Sequence, residues 1–456
     1  MLKKGRAVVV RWLILLVLAV GLTTVALADR RAAPEACDLG EAFVLSSENW
    51  DQAADDLLVD YAKYGFKFTD KKKRILGCAA PTVSLLGVQA AETRFFFAAD
   101  RSKIERMEFS LCNRGDAEVA GKILSMEDLK QLLATVSERL SADGKVPKTV
   151  SRKIAGGMTY SRAWPKRDPA AELLWGVSGD KEGKRAEFAT LRLSRGKPSA
   201  GKSGPAGKPT AGTKAGSAAN VKRTDEGDVY IANVPMVDQG RKGYCSVAAA
   251  ERVLRYYGND VSEHEIAQMA GSSGTEGTDV ASMIAAVETI GKKCGLGKTE
   301  VVSNMRSWDD VESRLAKYNQ AAKKLKRPEL SLSAFITQKG NMRTLHVGDL
   351  EQAMEPKVLK AMAMKDGAGY KRFLAGVKAQ VDQGLPLFWG VRLGVYPEPE
   401  CPQAAGGHMR LVVGYNAEAK EILYSDTWGA GHELKHIPQD WAWTITASLF
   451  YLKPRR

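Results

Sequence analysis

Asp238–Gly258 reads DQGRKGYCSVAAAERVLRYYG. From Cys245 onward, Val247, Ala250, Val253, Leu254 and Tyr257 recur at helical spacing, which predicts an amphipathic helix ended by Gly258. Ahead of it, Gly240, Arg241, Lys242 and Gly243 predict a loop. Cys245 therefore stands at a helix N-terminus, where unpaired N–H groups and the helix dipole favour a thiolate over a thiol. Gln239, six residues upstream, is near enough to lend its side-chain amide as an oxyanion donor. On this stretch alone, a buried cysteine opening an ordinary core helix is an equal reading.

The second informative stretch is GGHMRLVVGYN (406–416), followed by EILYSDTWGAGHE (421–433). His408 opens a branched apolar run, Leu411 to Val413, that predicts a buried strand. Asn416 marks a turn, and Ile422 to Ser425 predicts the returning strand. In an antiparallel pair of that length His408 falls near Asp426. A cysteine at a helix start, a histidine on a strand and a carboxylate behind it make a nucleophile, a base and an orienting group. Asn416 is the competing orienting group, eight residues from His408 across the turn.

These residues resemble the papain-like cysteine peptidases, most closely the bacteriocin-leader (double-glycine) peptidase family and its free-standing, secreted relatives. That family has a glutamine shortly before the cysteine, Gly-His at a strand start, and Asp-x-Trp-Gly or similar after the next strand. Gln239, Cys245, Gly407-His408 and Asp426-Thr427-Trp428-Gly429 match it, within Val229 to Lys453. The resemblance implies an α+β fold with the cysteine helix packed across an antiparallel sheet. It also implies a cysteine endopeptidase: Cys245 as nucleophile, His408 as acid and base, Asp426 as orienting group and Gln239 in the oxyanion hole. Protein or peptide substrates follow, with no metal and no organic cofactor. The chain has no Walker motif and no later membrane span, so double-glycine specificity is not carried over from the exporter-linked leader peptidases. Gly156-Gly157 reads as a plain turn, with self-cleavage at that double glycine as the rival reading. Two other function classes share the pattern: an amidase or acyl-transferase using the same thiol, and a catalytically silent papain-like module that binds peptides or envelope polymers.

With 456 residues and 44% hydrophobic content, the chain has room for two ordinary domains. Lys3, Lys4, Arg6 and Arg11, then an apolar run from Trp12 to Leu22, then Ala26-Leu27-Ala28 predict a secretory signal over 1–28. The protein is therefore expected to be exported, to periplasm, cell envelope or medium. Residues 29–194 predict a separate α+β domain, without histidine and with no metal-ligand spacing among its three cysteines. Residues 195–224 predict a flexible linker, rich in Gly, Lys, Ala, Ser, Pro and Thr. Residues 225–456 carry the peptidase-like pattern.

Of the net charge of +14, four charges lie in the signal and seven in the linker, leaving three for both folded parts. A nucleic-acid-binding face is not required. The linker charges allow weak contact with anionic envelope polymers, against a plain soluble spacer. Cysteines 37, 78 and 112 lie in the first part and 245, 294 and 401 in the second. A Cys294–Cys401 disulfide would leave Cys245 free. His264, His346, His432 and His436 read as solvated surface residues. The stretch Lys298–Tyr370 reads as an insertion near the substrate cleft.

Overall fold

In the computed structural model the described residues are 35–455, apart from 71, 142–143, 181–182, 197–217, 260, 276–279, 304–306 and 340–341. The expected signal (1–28) and most of the expected linker lie outside them. Among the described residues, no helix is long and apolar enough to cross a membrane.

The larger sheet of the first half has eight strands among the described residues: β1 (Lys67–Phe68), β2 (Ile75–Cys78), β3 (Glu92–Phe97), β4 (Ile104–Asn113), β5 (Val150–Ile154), β6 (Gly157–Trp164), β7 (Ala170–Asp180) and β8 (Gly183–Ser194). They form one sheet in the order β1-β2-β3-β4-β8-β7-β6-β5, antiparallel throughout. Helix α1 (Met126–Leu140) starts where Ser125 accepts a hydrogen bond from Asp128 N–H, and lays Leu129, Leu133, Val136 and Leu140 on this sheet's core. Phe95 and Phe97 on β3 and Met107 and Phe109 on β4 alternate along their strands and face this core.

Ala155 and Gly156 make the tight turn between β5 and β6, and Gly157 opens β6 opposite Ile154. Gly156 has φ of +80° and lies against the Gln268 carbonyl, which an added Cβ would approach to 2.6 Å. Gly156→Ala is therefore expected to cost about 1–3 kcal/mol through strain and clash, visible as a Tm several degrees below that of the parent protein.

The second half has its own sheet: β9 (Val221–Arg223), β10 (Asp228–Ile231), β11 (Leu296–Ser303), β12 (Leu387–Leu393), β13 (Gly406–Asn416), β14 (Glu421–Ser425), β15 (Lys435–Pro438) and β16 (Thr446–Pro454). The order is β9-β10-β13-β12-β16-β11, with β14 paired to β13 and β15 to β14, again all antiparallel. Its helices include α2 (Cys245–Tyr256), α3 (Glu263–Ala270), α4 (Val280–Lys293), α5 (Trp308–Lys324) and α6 (Gly367–Val381). Ser307 and Asp310 close a reciprocal capping box on α5. The expected insertion instead begins inside the sheet, because Leu296–Ser303 pairs along β16 as an edge strand.

Helix α2 departs most from its reading. Ser246 to Leu254 are all buried, including Glu251 and Arg252, so the helix has no wet face there. It lies between its own sheet and the first half of the chain. Where two separate domains were expected, Ala36–Arg456 forms one compact unit holding two hydrophobic cores. Between the cores runs a buried seam of charge. His264, expected at the surface, belongs to this seam: its Nε2 bonds Ser110 Oγ at 2.9 Å, and burial pulls its pKa down to about 3.

All six cysteines are free thiols, Cys294 and Cys401 included. Cys294 is buried after α4, whereas Cys401 bonds the Gln403 carbonyl in a loop, and the disulfide weighed between them is not formed.

Candidate active site

Cys245 is the first residue of α2. Its sulfur stands at the positive end of the helix dipole. β13 carries His408, opposite Val391 on β12, and β14 runs back beside it with Leu411 opposite Ser425. Asp426 follows directly. That register brings His408 Nε2 to 2.5 Å from Asp426 Oδ1, with both side chains fully buried. The other ring nitrogen, Nδ1, is buried without an ordinary hydrogen bond and is left for the thiol.

Burial by itself would push the Cys245 thiol up, but hydrogen bonding to His408 and its positive charge hold the thiol below its usual value. Burial also works against a charged imidazole, yet the Asp426 carboxylate raises His408 to about 9. Asp426 itself stays below the usual carboxylate range: burial opposes this, and His408 and Arg410 outweigh it. The three groups thus favour a thiolate–imidazolium pair held by a carboxylate.

Gln239 is fixed from two sides. Its backbone N–H donates to the Thr427 carbonyl at 2.8 Å, and its Oε1 accepts from Thr427 Oγ1 at 2.5 Å. Its Nε2 donates to the Lys242 carbonyl at 3.2 Å, which occupies one amide hydrogen and leaves the second. Gln239, Cys245 and His408 line one cleft of about 1230 Å3. Trp428 lies flat on His408, ring centroids 4.3 Å apart at 9°, and walls that side of the imidazole. His432 meets the other part of that indole edge-on at 5.7 Å and is half-buried, not solvated. His346 and His436 are exposed.

Asn416 turns out to be occupied in the turn. It bonds the Glu226 carbonyl, Asp228 and Ala419 N–H, each at 2.9 Å.

Two arginines were not singled out in the sequence. Arg410 Nε sits 2.8 Å from Asp426 Oδ2, while its far nitrogens hold Glu398 at 3.0 and 2.8 Å. Arg252 reaches across from α2 to the Asp426 carbonyl at 2.6 Å, Ser425 Oγ at 2.5 Å and the Pro235 carbonyl at 2.7 Å. The signal for Arg410 was its place two residues after His408, on the same face of the strand. For Arg252 there was none beyond a charge within an apolar helix.

Residues 231–319 and 292–448 match the model of the Peptidase_C39 like family. This half of the chain is peptidase-like. Among solved structures the chain is similar to xylellain, a cysteine protease from Xylella fastidiosa, at 13% identity and a TM-score of 0.25, over 54% of this chain and 90% of that one. No curated protein matches the chain. The family match covers all four residues of the site, and it supports a cysteine peptidase acting on protein or peptide substrates.

Proposed function

We propose that the protein is an exported cysteine endopeptidase in which Cys245 attacks the carbonyl of a peptide bond. The supporting observation is His408, tied to Asp426 through Nε2 and turned with Nδ1 toward the thiol at the start of α2. The thiolate adds to the carbonyl carbon, and the oxygen takes the negative charge facing the Cys245 backbone N–H and the spare Nε2 hydrogen of Gln239. His408 then protonates the departing amine, leaving a thioester on Cys245 and a neutral imidazole. Water, deprotonated by His408, releases the acid and restores the thiol. Asp426 holds the ring orientation and stabilises its charged form through both halves of the cycle. A cleft of this volume takes a stretch of chain on either side of the scissile bond, which favours internal cleavage.

The decisive measurement is the rate of Cys245 alkylation by iodoacetamide against pH, read by peptide mapping. Labelling is expected to stay fast well below the ordinary thiol pKa of about 8.5 and to lose that low-pH arm in His408→Ala. Labelling that rises only near the ordinary value would leave a papain-like fold without the ion pair, and a binding module would replace the enzyme. Transfer to an added amine in place of hydrolysis would point to an acyl-transferase using the same thioester. Export rests on residues 1–28 and is read from the N-terminus of the protein recovered outside the cytoplasm, expected at Asp29.

A further inference from the structure

The loop from Val237 to Tyr244 carries Gln239 and leads directly into Cys245. Its centre, Lys242, has a fully buried side chain. A buried ammonium brings three donors that must be met, and here most of them are met by the other half of the chain. Nζ contacts Glu92 on β3, lies 3.2 Å from Asp116 Oδ2 in the short helix Arg114–Val119, and is 3.9 Å from Glu263 on α3. Arg94, beside Glu92, bridges Glu92 at 3.0 Å and Glu263 at 2.9 Å, with Glu108 and Glu251 each at 3.9 Å. Ligand atoms of Glu92, Glu263 and His264 lie within 4.8 Å of one another, a grouping suited to a cation, and Lys242 and Arg94 supply that charge.

Further contacts hold the same loop. The Tyr244 ring lies on Gly115, where an added Cβ would come within 2.6 Å of it. Gly243 N–H donates to the Gly274 carbonyl at 2.8 Å, and Gly274 N–H donates to Glu118 Oε2 at 2.6 Å. Asp238 pairs with Lys67 at 3.4 Å. The backbone carbonyl of Lys242 is itself the acceptor for Gln239 Nε2. Anchoring the Lys242 side chain therefore sets the position of the amide that faces the reacting carbonyl.

We propose that the first half of the chain is a built-in positioning element for the nucleophile loop, acting through Glu92 and Asp116 on Lys242, and through Lys242 on Gln239. This rests on the peptidase reading. Glu92 and Asp116 touch neither substrate nor thiol; they are positioning residues. The thiolate–imidazolium pair is built from α2, β13 and β14 without them, so their loss should spare the pair and weaken oxyanion stabilisation.

The test uses the full chain with two variants: Asp116→Asn, and the double variant Glu92→Gln with Lys242→Met, which leaves no lone ammonium in the seam. Both are first confirmed folded by thermal melting. With a peptide substrate, kcat is expected to fall roughly 10- to 100-fold in the double variant, less than the roughly 10^2- to 10^3-fold for outright removal of one oxyanion donor because the Gln239 amide is displaced and not deleted, with KM changed less than about twofold. The alkylation profile of Cys245 should match the parent protein. Amide hydrogen exchange across 237–244 should speed up at least about tenfold, while β12 and β13 keep their protection. Undiminished kcat in the folded double variant, or unaltered exchange in the loop, would overturn the proposal. Loss of low-pH alkylation in a folded variant would also overturn it, since the seam would then be acting on the thiol itself. If the parent protein cleaves no peptide, the peptidase reading fails by itself, and the exchange rates still decide whether the seam holds the loop.

Discussion

Cys245→Ala is expected to lower kcat for peptide hydrolysis by on the order of 10^6-fold, to the residual rate that binding and the oxyanion contacts alone support, while melting stays close to that of the parent protein. The thiol is half-buried at the mouth of the cleft, and its removal leaves the Asp426–His408 contact and the Arg252 bridge in place. His408→Ala should be nearly as damaging to turnover, and it should also return the remaining thiol to ordinary alkylation chemistry. The measurement is initial rate on a quenched-fluorescence peptide library, with melting curves alongside. Turnover by Cys245→Ala that rivals the parent enzyme would place the chemistry elsewhere.

Asp426→Ala should damage both activity and stability. Asp426 is wholly buried and meets His408, Arg410 and Arg252 at three different atoms. Truncation leaves an imidazole and a guanidinium facing an empty site. Breaking one side of a buried pair costs about 3–5 kcal/mol, enough to lower Tm by on the order of 10 °C. Asp426→Asn keeps the volume and should retain more stability, yet it loses the carboxylate that fixes the tautomer, with kcat falling by up to about 10^4-fold. The pH dependence has a definite sign. His408 is raised from 6.5 to about 9 in the folded protein, so its contribution is complete below pH 6.5 and fades as pH rises through about 9. The Asp426 pKa is lowered from 3.8, so its contribution is complete above that value and is lost as pH falls through the folded pKa. In Asp426→Ala the alkaline loss of stability between pH 6.5 and 9 should disappear. A melting profile that keeps it would mean that another partner charges His408.

The cysteine helix, the strand that begins at Gly406 and the return through Ser425 were legible because each is a local pattern: helical or alternating apolar spacing bounded by glycine or asparagine. The antiparallel return places Asp426 beside His408 by geometry alone, and the structure has the two side by side. The N-caps that Ser125, Ser262 and Ser307 make in the structure are local interactions of the same kind. Other features were not readable. Leu296–Ser303 looked like the opening of an insertion because its partner strand lies some 150 residues later, and edge strands carry only weak alternation.

By itself, then, the sequence showed the kinds of element and named four candidate residues for the site, in the order in which they come. Tertiary structure alone decided what surrounds them. His264 read as a solvated surface residue and Lys242 as part of a loop, and nothing in the sequence set Glu251, Arg252 or Arg94 apart, since a charge in sequence looks the same whether water or a counter-charge meets it. Only the packing of one half against the other reveals that these charges meet one another, and that the loop before Cys245 is held by residues more than a hundred positions upstream. Burial of an ion is tolerated only where its partner is already in place, and that is a property of the fold and not of any stretch of the chain.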